Sequence, residues 1–316
     1  MSVLVSVIIP CYNCSATISR AVGSVFNQTH TLIEVICVDN NSNDETQQVL
    51  EKLKLEYPSL IVLSEIKQGA PAARNKGLNY SNGQLIQFLD ADDELLLNKI
   101  EHQVEIFLGA DIAPSFIVAG YYKQSFNKDG REYRKVNDNL FVGLFSSNLG
   151  ITSANLFSKF DLLEVGGWDE NLKSSQEYDL MFRLLKNSEN VLIDHTPLTI
   201  IHVNQEGGER ISTGNQLENL KRLITLRLRI KDFLQTNKKP YFKEHQNKIY
   251  QILFDQIRSL ANYDLTLAVE LYRKEIPDYF IPQVSETTTK NYIRLFRLFG
   301  FEKAEKLKKR FSKIRN

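Results

Sequence analysis

The chain has 316 residues, of which 42% are hydrophobic and 24% charged, with a formal net charge of +1. This size accommodates one large domain and an appendage, and the composition excludes global disorder and a collagen-like fibre. No apolar run approaches the ~20 residues that a membrane-spanning helix needs, and the N-terminus lacks the pattern of a secretory signal. We therefore expect a cytoplasmic protein.

The charge is divided unevenly along the chain. Residues 1–213 contain 17 Lys and Arg against 27 Asp and Glu, whereas residues 214–316 contain 22 against 11. Such an asymmetry predicts two parts with different roles, an acidic domain over 1–213 and a basic helical region over 214–316.

Apolar strands alternate with amphipathic helices in the first 110 residues. Strands are expected at 3–10, 34–39, 60–65 and 85–90, and helices at 16–26, 43–55, 70–80 and 97–108. This alternation predicts an α/β fold with a mostly parallel sheet covered by helices. Further strands are expected at 116–122, 132–136 and 151–157, and an extended stretch at 191–203 that is broken at Pro197. Helices are expected at 176–185, 217–234, 241–260, 265–273 and 292–314.

The three cysteines are too few for a disulfide framework, which is typical of a reducing compartment. Cys11 and Cys14 form a CxxC motif, but a zinc site would need a second pair. We interpret them as small, partly buried residues at the end of a strand, with a redox motif as the alternative.

An acidic cluster follows the fourth predicted strand. Asp90, Asp92 and Asp93 are three carboxylates within four residues, and they repel one another unless a cation lies among them. Hard oxygen ligands suit Mg²⁺ or Mn²⁺, which commonly also bind substrate phosphates. The alternative is a helix cap, which would account for Asp93 but not for Asp90.

Five ordered sequence blocks resemble family 2 glycosyltransferases, which have the GT-A fold. They are Val5–Asn13, Val38–Thr46, Gly69–Gly77, Phe88–Asp93 and Gly166–Leu180. The resemblance implies a twisted, mostly parallel sheet flanked by helices, with residues 214–316 as a C-terminal helical extension. It also implies a metal-dependent, inverting glycosyltransferase that uses a nucleotide-diphosphate sugar, with UDP or dTDP favoured, for polysaccharide assembly.

The same resemblance implies roles for individual residues. The nucleotide would lie against Pro10, Tyr12, Asn13, Asp39, Asn40, Arg74 and Asp90. The metal, Mn²⁺ or Mg²⁺, would bind Asp92, with His202 as a further ligand or a structural residue. The family commonly has Asp at position 40, so the Asn found here leaves the nucleotide base open.

A general base must remove the proton of the acceptor hydroxyl during an inverting transfer. Glu177 stands where the family places this base, and Asp179 is the runner-up or an orienting residue. On the acceptor or donor side we expect Asp169, Arg210 and Trp168, the last as a sugar platform or a core aromatic.

The C-terminal residues 290–316 contain ten Lys and Arg against two Glu, with apolar residues interleaved. A helix of this kind can lie on an anionic membrane surface, here the inner face, which would suit a lipid-linked glycan acceptor. Packing on the preceding helices and docking of a partner are the alternatives. Nucleic acid is not expected, because no recognisable nucleic-acid module is present.

Two other functions fit the sequence. A sugar-1-phosphate nucleotidyltransferase shares a similar nucleotide-binding sheet, although a Gly-rich loop after the first strand is missing here. A degenerate nucleotide-sugar-binding scaffold would keep the sheet without needing Glu177.

Overall fold

The structure is a computed structural model that describes residues 3–125, 130–203 and 215–314, with side chains to residue 310. The chain forms two compact units, Met1–Gly208 and Glu209–Asn316. The strands of the first unit are β1 (Val5–Cys11), β2 (Ile33–Asp39), β3 (Ile61–Ser64), β4 (Leu85–Phe88), β5 (Glu94–Leu95), β6 (Phe116–Ala119), β7 (Tyr121–Ser125), β8 (Glu132–Arg134), β9 (Leu156–Ser158), β10 (Val191–Asp194) and β11 (Thr199–Val203).

The helices of this unit are α1 (Ile18–Phe26), α2 (Thr46–Glu56), α3 (Ala70–Tyr80), α4 (Lys99–Leu108), α5 (Leu140–Phe145), α6 (Lys159–Glu164) and α7 (Gln176–Asn187). The main sheet has the order β10-β6-β9-β4-β1-β2-β3, and β9 alone among these seven strands runs antiparallel to its neighbours. Its central strands are apolar without alternation because both faces are covered by helices. This is the mixed α/β architecture expected from the sequence.

A second, smaller sheet has the order β5-β11-β7-β8. It changes one of the sequence predictions. The predicted strand 116–122 is two strands that belong to different sheets and meet at Gly120, where an added Cβ would lie 2.8 Å from the Tyr133 ring. The extended stretch 191–203 is interrupted around Pro197 as predicted, and its two halves are strands of different sheets.

The predicted strand 151–157 is wrong over most of its length. Residues 152–154 form a buried turn, and only Leu156–Ser158 is a strand. Hydrophobic periodicity could not distinguish this turn from a strand, because apolar and small residues are buried equally well in both. The short elements β5, α5 and α6 were not expected, since none exceeds six residues.

The cysteines lie at the end of the main sheet as free thiols. Cys11 and Cys37 are buried and Cys14 is partly buried. A hydrogen bond with Cys11, followed by burial, raises the pKa of the Cys14 thiol well above its usual range. Since thiolates are the reactive form, these are packing residues.

The described residues of the second unit, from 215 to 314, form the helices α8 (Gln216–Asn237), α9 (Lys239–Ala261), α10 (Leu265–Glu275) and α11 (Lys290–Ile314). Aromatic rings from α9, α10 and α11 form its core around Phe254, including Tyr272 and Phe301, which stack at 4.4 Å. Helix α11 is broken at Gly300, whose φ of +73° suits glycine. Among the described residues, no helix is both long and apolar enough to cross a membrane.

Candidate active site

The carboxyl ends of β1, β2 and β4 meet at one edge of the main sheet. Cys11 pairs in parallel register with Asp39, and Pro10 pairs with Val38. In open α/β sheets, ligands bind outside this edge. Tyr12 is half exposed in the turn after β1, as a ring available to a ligand would be.

The turn after β1 is tied to the turn after β2. Asn13 adopts a φ of +48°, its backbone N–H donates to Ser42 Oγ at 3.2 Å, and its Oδ1 accepts from the Asn43 N–H at 2.9 Å. The two turns therefore form one continuous rim. The nucleotide-binding roles of Pro10, Tyr12 and Asn13 stay predictions, with side chains placed at this rim.

Asn40 does not present its amide to the rim. It is 3% exposed, its Nδ2 donates to the carbonyls of Glu65 and Lys67, and its Oδ1 accepts from the Gly69 N–H at 2.7 Å. The expectation that this amide faces the nucleotide base is corrected: it holds the loop that precedes α3. The neighbouring Asp39 keeps a partly exposed carboxylate, which accepts from the Ser42 N–H.

Arg74 and Asp90 form an ion pair at the same edge. Arg74 Nη2 donates to Asp90 Oδ1 at 2.6 Å, and the guanidinium lies 4.5 Å from the centre of the Trp168 ring. The Asp90 side chain is 35% exposed and that of Arg74 only 8%. The pair is therefore open to a ligand on the side of the Asp90 carboxylate.

The acidic loop after β4 keeps its carboxylates in different surroundings. Asp93 is 3% exposed and accepts from Ser153 Oγ at 2.6 Å; burial, then the charges of Asp90 and Asp92, raise its pKa well above the usual range. Asp92 is partly exposed, and its carbonyl accepts from Arg20 Nη2 at 2.5 Å. Of the two, only Asp92 has a carboxylate within reach of a ligand.

His202, expected as a metal ligand or a structural residue, lies beside this loop. Its Nε2 is 3.3 Å from Glu94 Oε2; burial, then the nearby Arg20, lower the pKa of its imidazole, and the Asp92 charge opposes this. Within the described residues, no three His, Cys, Asp or Glu side chains are arranged to hold a metal ion. An imidazole and a carboxylate still fit Mn²⁺ or Mg²⁺, which binds few protein ligands together with substrate phosphates.

Glu177 lies at the start of α7, facing the acidic loop. Thr152 Oγ1 donates to Glu177 Oε2 at 3.0 Å. Burial raises the pKa of this carboxyl above its usual value; the hydrogen bond from Thr152 opposes that, the negative Asp90 adds to it and Arg74 opposes it. A carboxyl with a raised pKa is a stronger base when ionised, as general-base catalysis needs.

Asp179 points away from this arrangement. It is 3% exposed and accepts from Arg183 Nε at 2.8 Å, while Arg183 Nη1 donates to the carbonyls of Val165 and Gly167. Of the two roles expected for Asp179, this geometry favours orienting the segment before α7.

Trp168 belongs to the core rather than to an open sugar platform. It is 2% exposed, and its ring meets Phe88 edge-on at 5.2 Å. Asn75 holds its backbone on both sides, through Oδ1 to the Trp168 N–H and Nδ2 to the Trp168 carbonyl, each at 2.8 Å. Asp169 is partly exposed and accepts from Asn171 in a tight turn.

Several residues at the site were not found from the sequence, namely Arg20, Asn75, Thr152 and Ser153. Their contacts join positions 25 to 93 residues apart, so no local spacing could indicate them. Arg210, expected on the donor side, lies outside the described residues.

The chain belongs to glycosyl transferase family 2, whose profile matches residues 6–164. An uncharacterized glycosyltransferase of Rickettsia typhi is 32% identical over 232 residues, covering 70% of each chain. The Escherichia coli UDP-Glc:alpha-D-GlcNAc-diphosphoundecaprenol beta-1,3-glucosyltransferase WfgD is 36% identical over 154 residues, 47% of this chain and 53% of that one. The chain is therefore a glycosyltransferase, rather than the nucleotidyltransferase that the sequence left open.

Solved structures agree on the fold. S. aureus TarS 1–349, in complex with UDP-GlcNAc, has a TM-score of 0.61 at 17% identity, over 97% of this chain and 92% of that one. The mannosyltransferase PcManGT of Pyrobaculum calidifontis, in complex with GDP-Man and Mn²⁺, has a TM-score of 0.53 at 14% identity, over 98% and 87%. The GT-A fold expected from the sequence is confirmed.

Proposed function

We propose that this glycosyltransferase moves a sugar, with inversion, from a UDP- or dTDP-sugar to a glycan on a lipid-linked acceptor, with Mg²⁺ or Mn²⁺ as cofactor. The observation that carries the proposal is that Arg74, paired with Asp90 at 2.6 Å, also donates to Gln176 Oε1 at 3.5 Å, one residue before Glu177. A base and a nucleotide-side ion pair thus lie at the same edge. The names of WfgD and TarS support a UDP-sugar donor, and that of WfgD supports a diphospholipid acceptor in polysaccharide biosynthesis.

Glu177 is the general base of this reaction. Ionised Glu177 removes the proton of the acceptor hydroxyl while that oxygen bonds to the anomeric carbon. The bond from this carbon to the diphosphate oxygen breaks, and the nucleoside diphosphate leaves with the electron pair. Attack opposite the leaving group inverts the anomeric configuration.

The donor is held at the rim by neighbouring side chains. Asp39 accepts the N3–H of uracil or thymine, Tyr12 lies against the base and Asp90 binds on the ribose side. Asp92 and His202 would hold the metal ion, which supplies positive charge to the departing diphosphate. Arg74 keeps Asp90 in place and adds a positive charge beside it.

The direct test compares two substitutions in the full chain. Glu177→Gln should lower kcat by about 10²- to 10⁴-fold while UDP binding is unchanged, because the amide cannot accept the proton. Asp92→Ala should abolish the Mn²⁺-dependent part of UDP binding, measured by calorimetry. Full transfer by Glu177→Gln would refute the base, and metal-dependent UDP binding by Asp92→Ala would refute the metal ligand.

The lipid-linked acceptor requires access to a membrane, and α11 offers a surface for it. Its Tyr292, Phe296 and Phe301 pack on α9 or α10, so that face is internal to the unit. Near the break at Gly300 the helix exposes Arg294, Arg297, Leu298 (74%) and Phe299 (47%). Apolar side chains beside arginines suit an anionic lipid surface.

Sedimentation with liposomes tests this surface. The double substitution Leu298→Ser with Phe299→Ser should release the protein from phosphatidylglycerol vesicles at low salt. A matched control replaces Ile281 and Val284, which are 59% and 57% exposed in the same unit, and should leave binding unchanged. Equal binding by both double variants would refute the surface.

A further inference from the structure

A buried turn lies between the acidic loop and the helix that carries Glu177. The turn comprises residues 152–154, Thr-Ser-Ala, and these residues and the following Asn155 are each at most 1% exposed. Small polar side chains are buried this completely only when they are hydrogen-bonded. The partners of these side chains therefore indicate what the turn does.

Ser153 connects the turn to the acidic loop. Its hydroxyl accepts from the Asp90 N–H at 3.1 Å and donates to Asp93 Oδ2 at 2.6 Å. Its carbonyl accepts from Gln87 Nε2 at 2.9 Å and from Thr199 Oγ1 at 3.4 Å. The acidic loop is thus fixed to the turn at both ends.

The other side of the turn is anchored in the sheet. Asn155 Oδ1 accepts from the Ala119 N–H at 3.0 Å, and Gln103 Nε2 donates to the Ala154 carbonyl at 3.1 Å. Gly150 precedes the turn with a φ of +73°, and a Cβ there would lie 2.2 Å from Asn155 Oδ1. These contacts leave the turn one backbone conformation.

Thr152 extends from this fixed turn to Glu177. Its Oγ1 lies 3.0 Å from Glu177 Oε2, and Thr152 itself is 1% exposed. Charged and titratable groups from other elements also act on Glu177, namely Asp90 after β4, Arg74 on α3 and Tyr121 on β7. Of these four residues, Thr152 alone has a hydrogen bond to the carboxylate recorded in the structure.

We infer that Thr152 is a positioning residue for the transfer reaction, whose hydroxyl fixes the Glu177 carboxylate at a set distance from the acidic loop. One turn then holds both halves of the site, the acidic loop through Ser153 and the base through Thr152. This inference rests on the proposed role of Glu177 as base. Thr152 supplies a donor that favours the ionised carboxylate, the form that accepts a proton.

The titration of Glu177 measures this contact without any substrate. The full chain is labelled with ¹³C at the Glu carboxyl carbons, and the Glu177 signal is the one missing from Glu177→Gln. Thr152→Val, which keeps the shape but removes the hydroxyl, should titrate at higher pH than the wild type. Thr152→Ser, which keeps the hydroxyl, should titrate as the wild type does.

A matched control removes a threonine hydroxyl that contacts the same turn from strand β11. Thr199→Val deletes the bond to the Ser153 carbonyl but leaves Glu177 untouched, so its titration should not move. Circular dichroism establishes that each variant is folded, and Thr152→Ala serves if Thr152→Val is not. An unchanged Glu177 titration in the folded hydroxyl-free variant overturns the inference.

Kinetics separate this inference from the function on which it rests. With UDP release as the readout, Thr152→Val should lower kcat about 10-fold, move the acid limb of the pH profile to higher pH and leave the donor KM unchanged. If Glu177→Gln is inactive and Thr152→Val keeps the wild-type pH profile, the base stands and the positioning role is wrong. If Glu177→Gln is fully active, the base assignment itself is wrong.

Discussion

The two units each contain a buried arginine paired with a carboxylate, and the two pairs differ in what surrounds them. Arg258 and Glu305 in the helical unit have side chains only 3% and 0% exposed. Arg258 also donates to Thr288 Oγ1 and the Thr287 carbonyl, and its guanidinium lies 3.3 Å from the centre of the Tyr292 ring. This pair is enclosed on all sides by its own unit.

The pair in the sheet unit is open on the acid side. Asp90 is 35% exposed at the carboxyl edge of the sheet, whereas both side chains of the pair in the helical unit are at most 3% exposed. A fully buried ion pair stabilises the fold only if other protein groups hydrogen-bond to both of its charges. A pair with an exposed carboxylate leaves that carboxylate accessible to a ligand. The surroundings of an ion pair, more than its distance, thus distinguish a structural role from a functional one.

The largest effect should follow from breaking the enclosed pair. Arg258→Ala leaves Glu305 buried without its main cation and should lower the free energy of unfolding of the helical unit by about 3–5 kcal/mol. Hydrogen exchange of the α9 and α11 amides, together with urea unfolding, measures this. Arg273→Ala, which removes an exposed pair with Glu302, should cost less than about 1 kcal/mol, and equal effects would contradict the comparison.

Breaking the open pair should affect catalysis more than stability. Arg74→Met removes the cation that opposes the raised pKa of Glu177, so the acid limb of the pH–rate profile should move to higher pH. The loss of a charge-assisted hydrogen bond to Asp90 should also lower kcat/KM by roughly 10- to 100-fold. Arg74→Lys should restore part of the activity, and a wild-type pH profile in Arg74→Met would show that the pair does not act on the base.

Replacing Glu177 and Glu305 by neutral glutamine should change the melting temperature in opposite directions. Burial raises the pKa of Glu177, so its contribution to stability is fully present below the pKa of the unfolded chain and is lost as pH rises through the folded value. Glu177→Gln should therefore raise the melting temperature slightly at pH 8 and not at pH 4. Glu305→Gln should lower it at pH 8, because Arg258 loses its charged partner. A lower melting temperature for both variants at pH 8 would contradict the prediction that the buried, ionised Glu177 carboxylate destabilises the fold.

The sequence indicated most of the fold and the central part of the site, for physical reasons. Helix α3 has the predicted bounds, Ala70–Tyr80. Strand β4, which ends at the acidic cluster, was predicted because its residues are buried on both faces of the sheet. The family resemblance singled out Glu177, whose role as the base stays a prediction. The turn at 152–154 was interpreted as a strand, since its identity depends on partners such as Asp93 and Glu177, which are distant in sequence.

Position 40 shows the limit of transferring a motif residue by residue. The sequence places Asn40 beside Asp39 at the end of β2, but successive residues leaving a strand point in different directions. The side chain at 40 turned inward to the loop before α3, and the carboxylate at 39 stayed at the rim. Alternation along the strand could have indicated that one of the two residues would face inward, but not which one.

The smallest effect is expected at the cysteines, the other polar groups at this edge of the sheet. Cys14 hydrogen-bonds with Cys11 and Thr46, and its thiol stays protonated at neutral pH because its pKa is raised. Iodoacetamide at pH 7.5 should therefore modify Cys14 far more slowly than free cysteine, and Cys14→Ser should keep wild-type transfer and UDP binding. Rapid modification with loss of activity would show that Cys14 is a reactive thiol at the site. The cysteines would then have a functional role rather than a packing role.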